Sequence, residues 1–407
     1  MTTSSPTVSK RPRAAMPHAI LLAGLLALTT NASPARAQWT VTILDPAGSV
    51  SSTALGVSGT RQAGRAIIGG VSRAVLWNGT AASWTDLSPA ASTNAYATGV
   101  SGDQQVGYVT VGGVIRASLW SGTAASWVDL NPAGSPLSYA TGTSGTQQVG
   151  FARIGNAQRA SLWSGTAASR VDLHPAGWTG SWALANSGTQ QVGYAYVATP
   201  HAGLWTGTAA SWVDLHPDGP AFSHAAATNG TQQVGDAYVD SAYHACLWSG
   251  TAASWVDLHP AGATESFAVG IFGTQQVGYA TVDGVVLASL WSGTAASWED
   301  LSVFLPGPPG TWGDSRARAI WHDGSFTYIV GSANQSVDFT ERAMLWSRPN
   351  PPICRADFNG VGGLTVQDIF DFLNAWLMGD PRADFDGMNG LQVDDIFAFL
   401  NAWLAGC

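Results

Sequence analysis

The chain has 407 residues, 45% of them hydrophobic and only 11% charged, with 48 Gly and 19 Trp. An average protein carries roughly 25% charged residues, and a net charge of −9 at pH 7 argues against nucleic acid or an anionic membrane surface as a partner. The length exceeds that of one ordinary domain, and the wealth of Gly, Trp, Ser, Thr and Val points to short strands and tight turns.

Residues 1–37 read as a secretory signal. Lys10, Arg11 and Arg13 form a positive start, residues 19–28 ("AILLAGLLAL") an apolar run, and residues 35–37 ("ARA") a small-x-small cleavage site before Gln38. The run is too short to span a bilayer comfortably, and no later segment reads as transmembrane. The protein is therefore expected to be secreted or held at a bacterial cell surface. Cleavage removes Lys10, Arg11, Arg13 and Arg36 and no acid, so 17 positive residues become 13 against 26 acids, a net charge near −13.

Residues 38–347 are built on a repeat. The Trp that closes each "x-L-W" unit recurs at Trp77, Trp120, Trp163, Trp205, Trp248, Trp291 and Trp346, at spacings of 43, 43, 42, 43, 43 and 55. Four-stranded propeller blades have a period in the forties. In one copy the predicted strands are residues 138–144, 148–154, 159–163 and 169–173, bounded by Gly, Pro or Ser-Gly. "SGTAA" reads as the loop before the fourth strand. The array is split: the mature chain opens on a lone fourth strand ("WTVTILDPAG", from Trp39), and the last copy ends on a third strand ("RAMLWS"). Pairing the two completes seven blades and removes the sheet edges of an open array. The fold expected is mainly β, a seven-bladed β-propeller.

"HAGLW" (from His201) and "HACLW" (from His244), with "VDLHP", "SYATG" and "QQVGYA", resemble the extracellular HAF repeat over about residues 39–347. That resemblance implies an exported repeat protein with no defined reaction. Arg73, Arg116, Arg159, Arg342 and Leu287 replace the His in other copies, which argues against it as a required chemical group. His174, His216 and His259 share one position and Asp86, Asp129, Asp172, Asp214, Asp257 and Asp300 another; both sets read as turn chemistry in preference to a metal or sugar ring. The repeated third-strand Trp read as blade packing. Candidate ligand contacts lie where the repeat breaks: Trp178 and Trp182 in "GWTGSWA", and Trp321 in the divergent last copy, near Asp314, Arg316 and His322.

A Pro-rich linker (residues 348–353) leads to a duplicated module (residues 354–407), in which "ADFNGVGGLTVQDIFDFLNAWL" is echoed 27 residues later by "ADFDGMNGLQVDDIFAFLNAWL". Each half is an acidic loop followed by an amphipathic helix, so the module is expected to be small and all-α. The predicted apolar stripes are Val366, Ile369, Phe370, Leu373, Leu377 and Val393, Ile396, Phe397, Leu400, Leu404, stacked on each other. Phe372, Trp376, Phe399 and Trp403 sit off them, as added core before a docking face. The loops fit the paired EF-hand pattern for Ca²⁺. The predicted ligands are Asp357, Asn359, the Gly363 carbonyl, Thr365 and Asp368, then Asp384, Asp386, the Gly390 carbonyl, Gln392 and Asp395. Val361 and Met388 stand where a fifth-position oxygen is usual, which predicts weak to moderate affinity. Cys354 and Cys407 bracket the module, and a disulfide between them would clasp its ends.

The duplicated loop–helix resembles a type I dockerin, in particular the GC-type module that ends exported bacterial proteins with Gly-Cys, here Gly406 and Cys407. The resemblance implies attachment through a cohesin-like or other surface partner. No nucleophile elbow, zinc motif or phosphate loop stands in the sequence. The reading is a secreted, non-catalytic propeller that binds a glycan or protein ligand or forms a surface structure, anchored by a calcium-binding dockerin-like module. The runner-up is a carbohydrate-active enzyme for polysaccharide degradation, presented on a cohesin-type scaffold.

Overall fold

The computed structural model describes residues 1–2, 38–350, 354–360, 364–388 and 390–406; the predicted signal beyond its first two residues, Gly363 and Cys407 lie outside them. Each copy of the repeat folds into a four-stranded antiparallel sheet. In the copy dissected above the strands are Ser138–Thr143, Gln148–Ile154, Ala157–Trp163 and Val171–Asp172, in that order across the sheet. The fourth is shorter than expected because Ala167–Ser169 form a 3-10 turn. The Gly of each "QVG" is a packing requirement: a Cβ on Gly107 or Gly150 would stand 1.9 Å from the carbonyl oxygen of Tyr96 or Tyr139 on the adjoining strand.

The repeated "SGTAASW" is this turn. Ser126 Oγ accepts from the Ser121 N–H (2.8 Å) and donates to the Thr123 carbonyl (2.6 Å), while Gln105 Oε1 accepts from the Gly122 N–H (2.8 Å). Its trailing Trp127 donates to Ser118 Oγ (2.9 Å); where Arg170 replaces the Trp, its Nε makes the same bond to Ser161 (2.8 Å).

The seventh sheet joins the two ends of the array. Its order is Thr40–Ile43, Glu341–Pro349, Phe326–Gln335, Trp312–His322. The N-terminal strand runs antiparallel to the last, from Thr40 opposite Ser347 to Ile43 opposite Met344. The seven sheets are the blades of a closed β-propeller, and each gap between neighbouring blades holds an apolar cluster. The cluster between last and first blades contains Leu44, Ala54, Val57, Val330 and Leu345, so burial continues through the closure. The seven repeat Trp residues are fully buried in these gaps, as their regular spacing predicts. The last strand runs past the expected linker start at 348, and the Asn350 N–H still donates to the Ser325 carbonyl (2.8 Å).

Beyond the propeller stand helices α1 (Val366–Leu377) and α2 (Val393–Ala405). Phe372 and Phe399 are fully buried and stack with ring centroids 4.1 Å apart. Ala356, Ala383 and Phe385 complete the buried core, with Ile369, Leu373, Trp376 and their α2 counterparts packed against it. The predicted stripes are corrected here. Val366, Phe370 and Leu377 are 59%, 57% and 73% exposed, and Val393, Phe397 and Leu404 are 57%, 60% and 74% exposed. The helices pack through the face carrying Phe372 and Phe399; Ile369, Leu373, Ile396 and Leu400 of the stripes join that core, and the other six stripe residues are left outward.

Candidate functional site

The innermost strands of the blades surround an axial channel. Each carries a β-bulge at the same place, which sets one extra residue toward the axis: Leu55, Thr98, Thr141, Leu184, Ala226, Val269 and Arg318. Bulges re-aim side chains in this way. Small residues follow each bulge and let the strands approach: a Cβ on Gly56 would stand 3.0 Å from Gly99 Cα. The lining of the mid-channel therefore holds hydroxyls, aliphatic groups and one guanidinium.

At the C-terminal ends of these strands the channel opens into a cavity of about 520 Å³ rimmed by Ser58, Ser101, Ser144, Ser187, Asn229 and Trp321. The other end is aromatic. Just before each bulge, a first-strand residue faces a second-strand residue across the sheet: Tyr96–Tyr108, Tyr139–Phe151, Trp182–Tyr194, His224–Asp236 and Phe267–Tyr279. The same two positions hold Thr53–Arg65 in the first blade and Arg316–Ser332 in the last. Rings touch from blade to blade, with centroid separations of 4.6 Å for Tyr108–Tyr139, 4.0 Å for Phe151–Trp182 and 4.7 Å for Tyr194–His224. A cavity of about 360 Å³ opens among Tyr108, Tyr139, Phe151 and Trp182, and it shares Thr98, Thr141 and Leu184 with the mid-channel lining. Trp182 Nε1 donates to Gln158 Oε1 (2.8 Å), which fixes the indole at its wall. Burial pushes the Tyr108 and Tyr194 phenols far above the ordinary tyrosine range, so both stay neutral donors.

The three predicted contact tryptophans lie in three places. Trp182 belongs to the aromatic girdle and Trp321 to the rim of the opposite mouth. Trp178 packs edge-on against His201 (5.3 Å) and Trp212 (5.6 Å), away from both linings. The girdle was legible: Tyr96, Tyr139, Trp182, His224 and Phe267 recur at the repeat spacing, and of these Trp182 alone is a predicted contact. The repeated Asp and His are turn chemistry, as predicted. Asp129 Oδ1 accepts from the Asn131 N–H (2.8 Å), and its Oδ2 meets Arg116 (2.6 Å). His201 and His244 replace that Arg against Asp214 (2.9 Å) and Asp257 (2.8 Å). His216 and His259 hydrogen-bond Ser223 and Ser266 (2.8 Å each).

In the C-terminal module the side chains of Asp384, Asp386 and Asp395 each bring a carboxylate oxygen within 4.8 Å of the others, an arrangement that can hold a metal ion. Asp384 Oδ1 is buried and has no hydrogen-bond partner among the described residues. Asp395 is fully buried and accepts from the Phe385 (2.7 Å), Asp386 (3.1 Å) and Gln392 (2.7 Å) N–H groups. Those amides, the Gln392 amide first, hold its carboxyl below the usual range. In the first loop Asp368 accepts from the Asn359 (3.2 Å) and Thr365 (2.8 Å) N–H groups, while Asn359 Nδ2 donates to Asp371 (2.9 Å). Trp376 donates to the Gln392 carbonyl (2.9 Å) and Trp403 to the Thr365 carbonyl (3.0 Å), so each helix holds the other half's loop. Gly390 sits at φ +72°, where glycine is favoured.

No known protein family and no curated protein matches this chain. Among solved structures it is similar to the β-propeller domain of the Trilobed protease from Pyrococcus furiosus, at 10% identity over 78% of this chain and 98% of that one, with a TM-score of 0.47. It is also similar to a Mycobacterium tuberculosis puromycin-hydrolyzing peptidase (10% identity, 74% of this chain and 55% of that one, TM-score 0.48) and to TolB from Acinetobacter baumannii (9%, 60% and 64%, TM-score 0.42). The chain spans less than two thirds of the length of the latter two. The assignment of seven blades rests on the sheet order and closure of this chain itself.

Proposed function

We propose that this is an exported, non-catalytic propeller that binds a glycan at its aromatic mouth and is anchored through its C-terminal module. The observation that carries the binding reading is the girdle, continuous by ring contact from Tyr96 to His224 and enclosing a cavity beside the channel. Aromatic walls with neutral phenols and a fixed indole suit sugar rings, whose C–H faces stack while their hydroxyls hydrogen-bond. The test is a glycan array probed with the full chain and with Trp182→Ala: glycan binding that the substitution abolishes supports the reading, and an array without signal refutes it.

The anchoring reading rests on the paired loops and the outward stripes. Asp384, Asp386 and Asp395, with the Gly390 carbonyl and Gln392, would hold a Ca²⁺ ion, and the buried, unpartnered Asp384 oxygen fits such an ion. A second ion would be held by Asp357, Asn359, Thr365, Asp368 and the Gly363 carbonyl. The exposed Val366, Phe370, Leu377 and Val393, Phe397, Leu404 form two matching apolar strips suited to a cohesin-like partner. The reading includes cleavage before Gln38 and a Cys354–Cys407 clasp; mass spectrometry of the secreted protein without reductant, with free thiols at both cysteines, would refute the clasp.

One observation favours a carbohydrate-active enzyme as a second reading. In the fifth blade the girdle pair is His224–Asp236, with Nδ1 and Oδ2 2.9 Å apart, an arrangement able to move a proton. Release of reducing sugar ends by the wild type and not by His224→Ala would establish that reading.

A further inference from the structure

We infer that the channel behind the aromatic mouth binds a carboxylate-bearing sugar, a uronate unit of an acidic glycan, with its carboxylate on Arg318 and Arg316 and its ring against the girdle. This rests on the mouth being the glycan site and adds the class of glycan. Six of the seven bulge residues at the channel wall are uncharged (Leu55, Thr98, Thr141, Leu184, Ala226 and Val269); the seventh is Arg318. Its Nε is buried without a hydrogen-bond partner, and among the described residues no carboxylate pairs with its guanidinium. The carboxylate that acts on it at longer range, Glu341, is already engaged by Arg65 (3.1 Å) and Ser332 Oγ (2.8 Å). Arg316 makes a long ion pair with Asp314, at 3.9 Å, its one carboxylate partner among the described residues. Both guanidinium groups lie over Tyr279, at 5.4 and 5.7 Å from the ring centroid, which turns that end of the girdle cationic. Arg318 is partly buried, holding a cation there without an anion costs free energy, and burial accordingly pulls its pKa down. In a protein with 26 acids against 17 basic residues, a guanidinium at the channel wall without an ion-pair partner, that of Arg318, is best explained by an anion supplied from outside. The girdle decides which anion, because rings that continue over several blades suit a chain of sugar rings more than a single acid or a flexible acidic peptide.

The experiment is calorimetric titration of the full chain with a uronate oligomer, a neutral hexose oligomer of the same length, and an oligoglutamate peptide. The uronate oligomer is expected to bind about ten-fold or more tightly than the other two, as a charge-assisted contact implies, and to weaken as salt is raised. Arg318→Met should lose that advantage, Arg318→Lys should retain most of it, and unchanged urea unfolding midpoints would show both variants folded. Equal binding of uronate and neutral oligomers overturns the acidic class while leaving the glycan site standing. Oligoglutamate binding as tightly as uronate overturns the sugar class. Loss of all binding in Trp182→Ala, with Arg318→Met unchanged from wild type, assigns the site to the girdle alone and also overturns the inference.

Discussion

Leu44 tests whether the ring is closed by a strand that bears its full share of the packing. It follows the N-terminal strand and is fully buried between the last and first blades; its counterparts Leu87, Leu130, Leu173, Leu215, Leu258 and Leu301 are equally buried. Its N–H donates to the Ala343 carbonyl at 2.8 Å, as that of Leu173 donates to Ala160 at 2.9 Å. The two sites share this bond and full burial in an inter-blade cluster but differ in covalent connection: Leu173 is tethered to its blade by a 3-10 turn, whereas Leu44 reaches its blade through space. Truncating a fully buried Leu to Ala costs about 2–5 kcal/mol, the spread reflecting how far the site collapses. Leu44→Ala and Leu173→Ala should therefore shift urea unfolding of the full chain by that amount each, and agree within about 1 kcal/mol. A frayed closing strand would already expose Leu44 part of the time, and its truncation would then cost much less. A Leu44→Ala effect below about 0.5 kcal/mol, beside a normal Leu173→Ala effect, would refute closure through this strand.

Three further outcomes follow from the ionisable groups. Asp300 has Leu287 at the position that supplies Arg or His to the turn Asp of other blades, so Leu287→Arg should add an ion pair and stabilise by about 0.3–1 kcal/mol, less at high salt, in thermal melts. Burial first, and then the stacked His201 and His244, hold His216 and His259 below the ordinary histidine range, and burial does the same for His174 and His322. The unfolded chain then takes up protons near pH 6.5 that the folded chain refuses, so stability is full above that pH and falls as pH drops toward the lowered folded values; a urea midpoint that rises between pH 7 and 5.5 would contradict this. Asp384→Asn should be neutral or stabilising in chelator, because it relieves three crowded carboxylates, and destabilising in excess Ca²⁺, where a wild type at one hundred times Kd gains about 2.7 kcal/mol. The same sign in both buffers, read by the melting of α1 and α2, would exclude a cation at that loop.

Closure and blade number were legible because they depend on counting: seven Trp, and a split copy whose missing strand stands at the other end. The helix faces were not. Each helix carries more apolar residues than one contact can bury, and periodicity ranks Val366, Phe370 and Leu377 with Ile369 and Leu373 without saying which side meets a neighbour. Packing chose Phe372 on Phe399, since two aromatic rings in face contact fill the space between such short helices. Apart from Trp182, the girdle was missed for another reason. Attention to places where copies differ, such as Trp178 and Trp321, passes over a position that is the same in location and changes only in its aromatic or charged group.

That position shows how a ring of near-copies acquires direction. Seven identical blades would present seven equivalent sites and could not orient a ligand. Here the girdle runs through rings from the second blade to the fourth, turns to His224–Asp236 in the fifth, and returns to rings in the sixth. It becomes cationic in the last, where Arg316 and Arg318 stand one on each side of the alanine that precedes the bulge. The last blade is also the one assembled from both chain ends and carrying the longest spacing, 55 residues, between repeat Trp residues. Its divergence thus supplies Arg318, the one charged residue among the seven bulge positions of the channel wall, whereas Arg65 in the first blade is paired with Glu341. A ligand with one anionic group and several ring faces has one favourable way to lie across such a mouth. Moving the charge should turn it: Arg318→Leu combined with Leu184→Arg carries the guanidinium to the fourth blade, beside Trp182 at the aromatic cavity. The double variant should regain uronate binding that Arg318→Leu lacks, with the ligand's protein contacts, read by NMR shift perturbation, displaced toward the fourth blade. Recovery without displacement would mean that net charge, and not its place in the ring, governs binding.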